Sequence, residues 1–168
     1  MLPRRQVLAA SATMLPLFIA LSACAGHPNP LEGPPPLSAD VRRLLDAATA
    51  EQDLVNLYKK TIAAYSPLAP VLSPLLAEHE VHLRQITALI IERPGRSLQV
   101  RPARRPAIAG TRAAAIGQLQ AAEQAAITTQ LRRLTSAPPS QAQLFASIAA
   151  SEATHVGVLH RWHSAGRN

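Results

Sequence analysis

The length, composition and charge of this 168-residue chain exclude several classes of protein. Because Cys24 is the only cysteine, the chain cannot form an internal disulfide, and its stability must come from packing. Aromatic residues make up 3% of the chain, which leaves aliphatic side chains and many alanines to fill a core. The formal charge is +7, but the main basic run has no interleaved aromatic residues to stack on bases, so no nucleic-acid partner is expected.

The first 23 residues have the features of an export signal and are not expected to be part of the fold. Arg4 and Arg5 precede an apolar stretch that ends in the sequence LSAC at residues 21–24. This ending resembles the lipobox of bacterial lipoproteins, and the resemblance implies that Cys24 is lipidated and becomes the first mature residue. The lipid would hold the protein on the outer face of the bacterial cytoplasmic membrane.

The leader also resembles a twin-arginine signal, the kind that directs export of folded proteins. Arg4 and Arg5 are followed by QVL, although Pro3 stands where that motif usually has Ser or Thr. The alternative is a retained membrane helix over residues 6–23. That helix would need about 20 apolar residues, and this run is slightly shorter and ends in a processing site.

The remaining chain is predicted to form a tether, one helical domain and a tail. Residues 24–37 contain five prolines and two glycines, a composition typical of an extended, semi-rigid spacer. About 145 residues remain after cleavage, enough for one domain but not comfortably for two. The predicted parts are a signal at 1–23, the lipidated cysteine and tether at 24–37, a four-helix domain at 38–163 and a tail at 164–168.

Four segments show the three-and-four spacing of apolar residues that is typical of helices, and no run alternates as a half-buried strand does. We therefore expect an all-α fold. The predicted helices span about residues 38–65, 67–92, 111–136 and 139–163. Ser38 suits the N-cap of the first helix, and Ser140 with Gln143 forms a capping-box pattern at the start of the fourth.

Prolines leave two possibilities for the start of the second helix. Pro67 suits a first turn. Pro70 and Pro74 either leave the start of the helix kinked or delay it until Ser73 caps a helix that begins at Pro74.

Each predicted helix carries ionisable residues on the face that its apolar residues mark as buried. On the fourth helix this apolar stripe runs from Phe145 to Trp162. Burying a charged group costs several kcal/mol unless it is paired, hydrogen-bonded or bound to a metal, so a site is one explanation. The inward residues are Glu51 on the first helix, His79 and His82 on the second, Glu123 on the third, and Glu152 and His155 on the fourth.

The positions of these residues along the helices also agree. In an antiparallel hairpin, residues at one level are equidistant along the chain from the turn. Glu51 and the two histidines of the second helix have their midpoint near Pro67, and Glu123 and the polar pair of the fourth helix have theirs near Pro138. Both midpoints coincide with proline-marked turns, so the polar groups of each hairpin are expected at one level.

The connector between the second and third helices is about 18 residues long and lacks a helical stripe, so it can cross the length of a bundle. With that crossover, residues 38–163 resemble the ferritin-like superfamily. Its di-metal members carry one Glu on each of the first and third helices and a Glu-x-x-His motif on each of the second and fourth. The resemblance implies a ferritin-like four-helix bundle.

The resemblance also implies a set of metal ligands. Glu51 and Glu123 match the single carboxylates, and Glu152 with His155 matches the motif of the fourth helix. On the second helix, His82 matches the family histidine, but His79 stands where the family has a glutamate.

This departure changes the expected metal content. Glu78 could replace the missing carboxylate only in part, because it sits about 100° around the helix from His79. Three carboxylates and three imidazoles suit Fe, Mn or Zn. Since a neutral imidazole in place of a carboxylate removes one negative charge, we expect one ion or an asymmetric pair.

Two hypotheses for function follow. The first is a lipid-anchored ferritin-like domain that binds a transition metal and has a redox or storage role. The second is a metal-free helical envelope lipoprotein that acts as a structural or interaction module. The run from Arg93 to Arg112 has six arginines and no acidic residue, and it is either a contact for anionic lipid or a cell-wall polymer or a solvated connector.

Overall fold

The computed structural model describes residues 37–91 and 106–165, and these residues form an all-α four-helix bundle. Within these two ranges there is no strand, which confirms the predicted fold class. The helices are α1 Ala39–Ala64, α2 Ala69–Ile91, α3 Arg112–Leu134 and α4 Pro139–Ala165, with a 3-10 turn, Ser66–Leu68, between α1 and α2.

The directions of the helices follow from contacts at the two ends of α1. Near its start, Arg43 donates a hydrogen bond to the Ser136 carbonyl beyond the end of α3, at 2.7 Å. Just past its other end, the Tyr65 hydroxyl donates to the Ala109 carbonyl before the start of α3, also at 2.7 Å. Since α1 is antiparallel to both α2 and α3, α2 and α3 run parallel. Their connection therefore joins opposite ends of the bundle, as the predicted crossover requires.

Capping confirms one predicted helix start and corrects another. The Ser38 side chain accepts from the Val41 amide at 3.3 Å, so Ser38 is the N-cap of α1. The capping box predicted at Ser140 is wrong, because α4 begins at Pro139 and the Pro138 carbonyl accepts from the Ala142 amide at 2.9 Å. Proline is well suited to a first helical position, where its missing N–H needs no partner.

The structure decides how α2 passes its prolines. Pro67 lies in the 3-10 turn, and α2 then runs from Ala69 without interruption, with Pro74 inside the helix. Pro70 is in the first turn, where an N–H is not needed, whereas Pro74 cannot donate to the Pro70 carbonyl. A delayed start at Ser73 is therefore wrong.

Two apolar clusters hold the ends of the bundle. One consists of Leu44, Ala47, Ala48, Ile86, Ile90, Phe145 and Ile148, and the other of Leu57, Tyr58, Leu68, Leu72, Leu75, Ile116, Leu119 and Leu159. Burying one large aliphatic side chain stabilises the fold by roughly 1.5–3 kcal/mol. Trp162, predicted on the buried stripe, is 45% exposed, because it lies in the last turn of α4, past Leu159, the last buried residue of that stripe within the described range.

Several predictions concern other parts of the chain. The signal, Cys24 and nearly all of the tether precede the described residues, and the arginines from Arg93 to Arg105 fall between the two described ranges. Among the described helices, none is both long enough and apolar enough to span a membrane.

Replacing Phe145 should show how much the first cluster contributes to stability. Phe145 is fully buried, so Phe145→Ala should lower the free energy of unfolding by about 3 to 5 kcal/mol. Trp162→Ala is the control and should lower it by about half as much, since much of that side chain is already in water. Urea unfolding followed by circular dichroism measures both, and equal losses would contradict the assignment of the core.

Candidate metal centre

All six predicted ligand residues lie in the interior of the bundle, between the two apolar clusters. Five of them have no exposed surface, and His82 is 8% exposed. Every helix contributes at least one. The fully buried residues are Glu51 of α1, His79 of α2, Glu123 of α3, and Glu152 and His155 of α4.

His79 is at the centre of the group. Its Nδ1 lies 3.0 Å from Glu51 Oε2, and its Nε2 lies 2.8 Å from Glu123 Oε1. Burial alone would lower the pKa of His79, but the hydrogen bonds and charges of Glu123 and Glu51 outweigh it and raise the pKa to about 10. In the metal-free protein His79 is therefore an imidazolium that donates to two carboxylates on two other helices.

Three side chains contact Oε1 of Glu123. Besides His79, the Tyr58 hydroxyl donates to its Oε1 at 2.5 Å, and His155 Nδ1 lies 3.3 Å from the same oxygen. Burial raises the pKa of Glu123, but the bonds to His155, His79 and Tyr58 dominate and lower it to about 2. Burial and the neighbouring Glu123 raise the pKa of Tyr58, so its hydroxyl stays protonated.

Glu51 is held from two sides. His79 is bound to its Oε2, and His82 Nδ1 lies 3.8 Å from the same oxygen. The Gln130 amide donates to Oε1 at 3.4 Å, and Gln130 in turn accepts from Arg133 at 2.9 Å. Burial raises the pKa of Glu51, but its interactions with His79 and His82 outweigh burial and lower it, so Glu51 is ionised.

Glu152 is the buried carboxylate that its described neighbours do not stabilise with well-formed hydrogen bonds. Within the described residues, neither of its oxygens has a hydrogen bond of good geometry. Burial and the charges of Glu51 and Glu123 raise its pKa to about 8, although His79 and the nearby Gln130 amide oppose the shift. Glu123 Oε2 and His82 Nδ1 are also buried without a hydrogen bond within the described residues. Such unpaired buried atoms are rare in native proteins and often indicate a bound ion or water.

Two groups of side chains have the geometry to hold a metal ion. In each group, one donor atom per residue lies within 4.8 Å of the others. His79 belongs to both groups, whereas Glu152 belongs to neither in this conformation. The groups are Glu51 with His79 and His82, and His79 with Glu123 and His155.

Glu78 closes the cluster on its solvent side. Although its side chain is 52% exposed, its Oε2 lies 3.0 Å from His155 Nε2 and accepts from the Ser151 hydroxyl at 2.6 Å. The Ser151 hydrogen bond is the main reason that the pKa of Glu78 is lowered. Glu78 therefore reaches the cluster from its edge and not from the position of the glutamate that His79 replaces.

Two further participants were not predicted as site residues. Gln130 lies one heptad after Glu123 on the same face of α3, so continuing that repeat would have found it. Tyr58 lies one heptad after Glu51, and its hydroxyl makes it part of the site.

Comparisons with known proteins do not identify a relative. No family model, no curated protein and no solved structure matches this chain. The bundle and its buried His and Glu groups are compatible with a ferritin-like fold, and the assignment of function depends on this site.

The metal-free protein should lose stability between about pH 6 and pH 9. In the folded state His79 keeps its proton up to about pH 10 and Glu152 up to about pH 8. The unfolded chain releases these protons near roughly pH 6.5 and 4.3. Their contributions are therefore complete below those values and are lost as the pH rises through the folded pKa values.

Urea unfolding of chelator-treated protein at about pH 6 and about pH 9 measures this loss of stability. The midpoint should be lower at the higher pH. Glu152→Gln should make the midpoint less dependent on pH, because the amide stays neutral. An equal or higher midpoint for the unmodified chain at about pH 9 would contradict the assigned charges.

Proposed function

We propose that this protein is an exported, lipid-anchored ferritin-like domain that binds a transition metal within its bundle, with a redox or storage role. The observation that carries the proposal is Glu152, a fully buried carboxylate whose two oxygens have no well-formed hydrogen bond within the described residues. Ionising such a group beside Glu51 and Glu123 costs several kcal/mol unless a cation compensates. A divalent ion bound by the neighbouring ligands supplies that compensation.

The helix directions support the ferritin-like part of the proposal. Parallel α2 and α3, each antiparallel to its hairpin partner, are the arrangement that the resemblance implies. The carboxylates of α1 and α3 both face the same imidazole of α2, and His155 of α4 contacts Glu123.

One ion fits the donor set better than two. The two groups share His79, which would have to lose the protons of both ring nitrogens to serve two ions. A single ion needs one of them and leaves the other nitrogen bonded to a carboxylate. Fe or Mn would supply redox chemistry, and Zn would supply Lewis acidity. An asymmetric pair is the other arrangement consistent with the ligands.

Side chains around the ligands are placed to orient them. Glu78 can accept the Nε2 proton of His155, which leaves Nδ1 for a metal. Tyr58 fixes Glu123, and Gln130 fixes Glu51. Such outer contacts set the tautomer and orientation of metal ligands.

The second candidate is a metal-free envelope lipoprotein in which the polar centre is structural. It is favoured by the contacts of His79, because one imidazolium between two carboxylates is already a paired network. In this case Glu152 would remain protonated near neutral pH, and its loss would mainly change stability.

Elemental analysis of the full chain, purified in neutral detergent without a histidine tag, tests the proposal. We expect about one Fe, Mn or Zn per chain, and loss of that metal in Glu152→Ala/His155→Ala. The matched control is Glu80→Ala/His160→Ala, which removes the same residue types from the bundle surface and should keep the metal.

Circular dichroism must show that the ligand variant keeps its helices. If neither the unmodified chain nor the variant holds metal after anaerobic reconstitution, the metal proposal is wrong and the structural alternative is favoured.

Export and anchoring are supported by the sequence alone. The proposal places the domain on the outer face of the cytoplasmic membrane, with the segment from Arg93 to Arg112 as a further contact for anionic lipid or cell wall. Metabolic labelling with a fatty-acid analogue should mark the protein in bacterial cells and should not mark Cys24→Ala. Equal labelling of both would contradict the anchor.

A further inference from the structure

A second site lies on the surface, at the end of the bundle where α1 begins. There α1 and the end of α3 enclose a cleft of about 430 Å³. We call it the arginine cleft. Its charged residues are Arg42 and Arg43 of α1, Arg132 and Arg133 of α3, and one carboxylate, Asp46.

Positive charge in the arginine cleft is largely unneutralised. Among the described residues, Arg43 is the only one of the four arginines with a carboxylate within 4 Å, Asp40 at 2.9 Å. Burial is the main cause that lowers the pKa of Arg133, and the charges of Asp46, Glu51 and Glu152 oppose it. The four guanidinium groups thus concentrate charge that an anion can neutralise.

Structural roles account for only some of these arginines. Arg132 and Arg133 lie in the last turn of α3, where the helix dipole favours cations. Arg43 joins the start of α1 to the α3–α4 turn through the Ser136 carbonyl. Arg133 binds Gln130 and lies over the Phe145 ring, 5.9 Å from its centroid.

Arg42 has no such explanation. It lies near the N-terminus of α1, where the helix dipole disfavours a cation. Its side chain is exposed and makes no hydrogen bond or ion pair within the described part of the chain. Arg132 is similarly available, since its contact is a hydrogen bond to Thr129. The cleft therefore presents two guanidinium groups, Arg42 and Arg132, that the fold itself uses little.

One guanidinium group can donate two parallel hydrogen bonds to the oxygens of a phosphate. A cleft of this size also accommodates a lipid head group. Ala39, the first residue of α1, lies at the edge of the cleft, so the predicted tether reaches the bundle here. We propose that the arginine cleft binds the phosphate of anionic phospholipids and seats this end of the bundle on the membrane. The proposal rests on the anchoring part of the proposed function and is independent of metal.

Binding of short-chain phosphatidylglycerol to the full chain, in neutral detergent micelles with a chelator present, tests the proposal. Isothermal titration calorimetry should show binding of phosphatidylglycerol and none of phosphatidylcholine. Arg42→Gln/Arg132→Gln should weaken binding by about tenfold or more, because two charge-assisted contacts are lost. Arg84→Gln/Arg161→Gln is the matched control, since it removes two exposed arginines that lie outside the cleft and outside the segment from Arg93 to Arg112, and it should bind within about twofold of the unmodified chain.

Three results would overturn the proposal. The first is a cleft variant that binds as tightly as the unmodified chain while remaining helical by circular dichroism. The second is a control that loses as much affinity as the cleft variant, which would indicate a general effect of charge. The third is inorganic phosphate that binds as tightly as phosphatidylglycerol, which would make the cleft a site for a free anion. Arg42 and Arg132 contact none of the six candidate ligands, so failure here is distinct from failure of the metal proposal.

Discussion

The bond of His79 to both Glu51 and Glu123 is the interaction on which the interior of this bundle depends. Two ionised carboxylates from α1 and α3 face each other across the core, and the imidazolium of α2 is the cation that separates them. His79 stands where the ferritin-like pattern has a glutamate. In the metal-free protein this replacement turns an expected anionic ligand into a positively charged link among three helices.

Protons and a metal ion would compete for the same atoms. In the metal-free protein both ring nitrogens of His79 carry a proton, whereas a nitrogen that binds a metal carries none. Glu152 also holds a proton near neutral pH. Metal binding by His79 would require the loss of a proton, so metal affinity should increase with pH while the metal-free fold weakens. The apolar clusters pack the helices against one another on both sides of this centre.

The candidate metal centre and the arginine cleft are connected by one buried amide. Gln130 donates to Glu51 Oε1 at 3.4 Å and accepts from Arg133 at 2.9 Å. Arg133 belongs to the cleft, and Glu51 belongs to the centre. The end of the bundle that we place on the membrane is thus also the end whose arginine contributes to the orientation of a proposed metal ligand.

The sequence by itself determined the four helices, the inward position of the six polar residues and their common level. Each of these follows from the periodicity of one helix or from the distance to a turn. Only the tertiary structure decided that Glu78 reaches His155 from the edge, that Trp162 is exposed, and that Arg42 and Arg132 line one cleft. These features depend on how far a side chain extends and on which helix ends adjoin each other. Helical periodicity gives the face and height of a residue but not the neighbour that covers it.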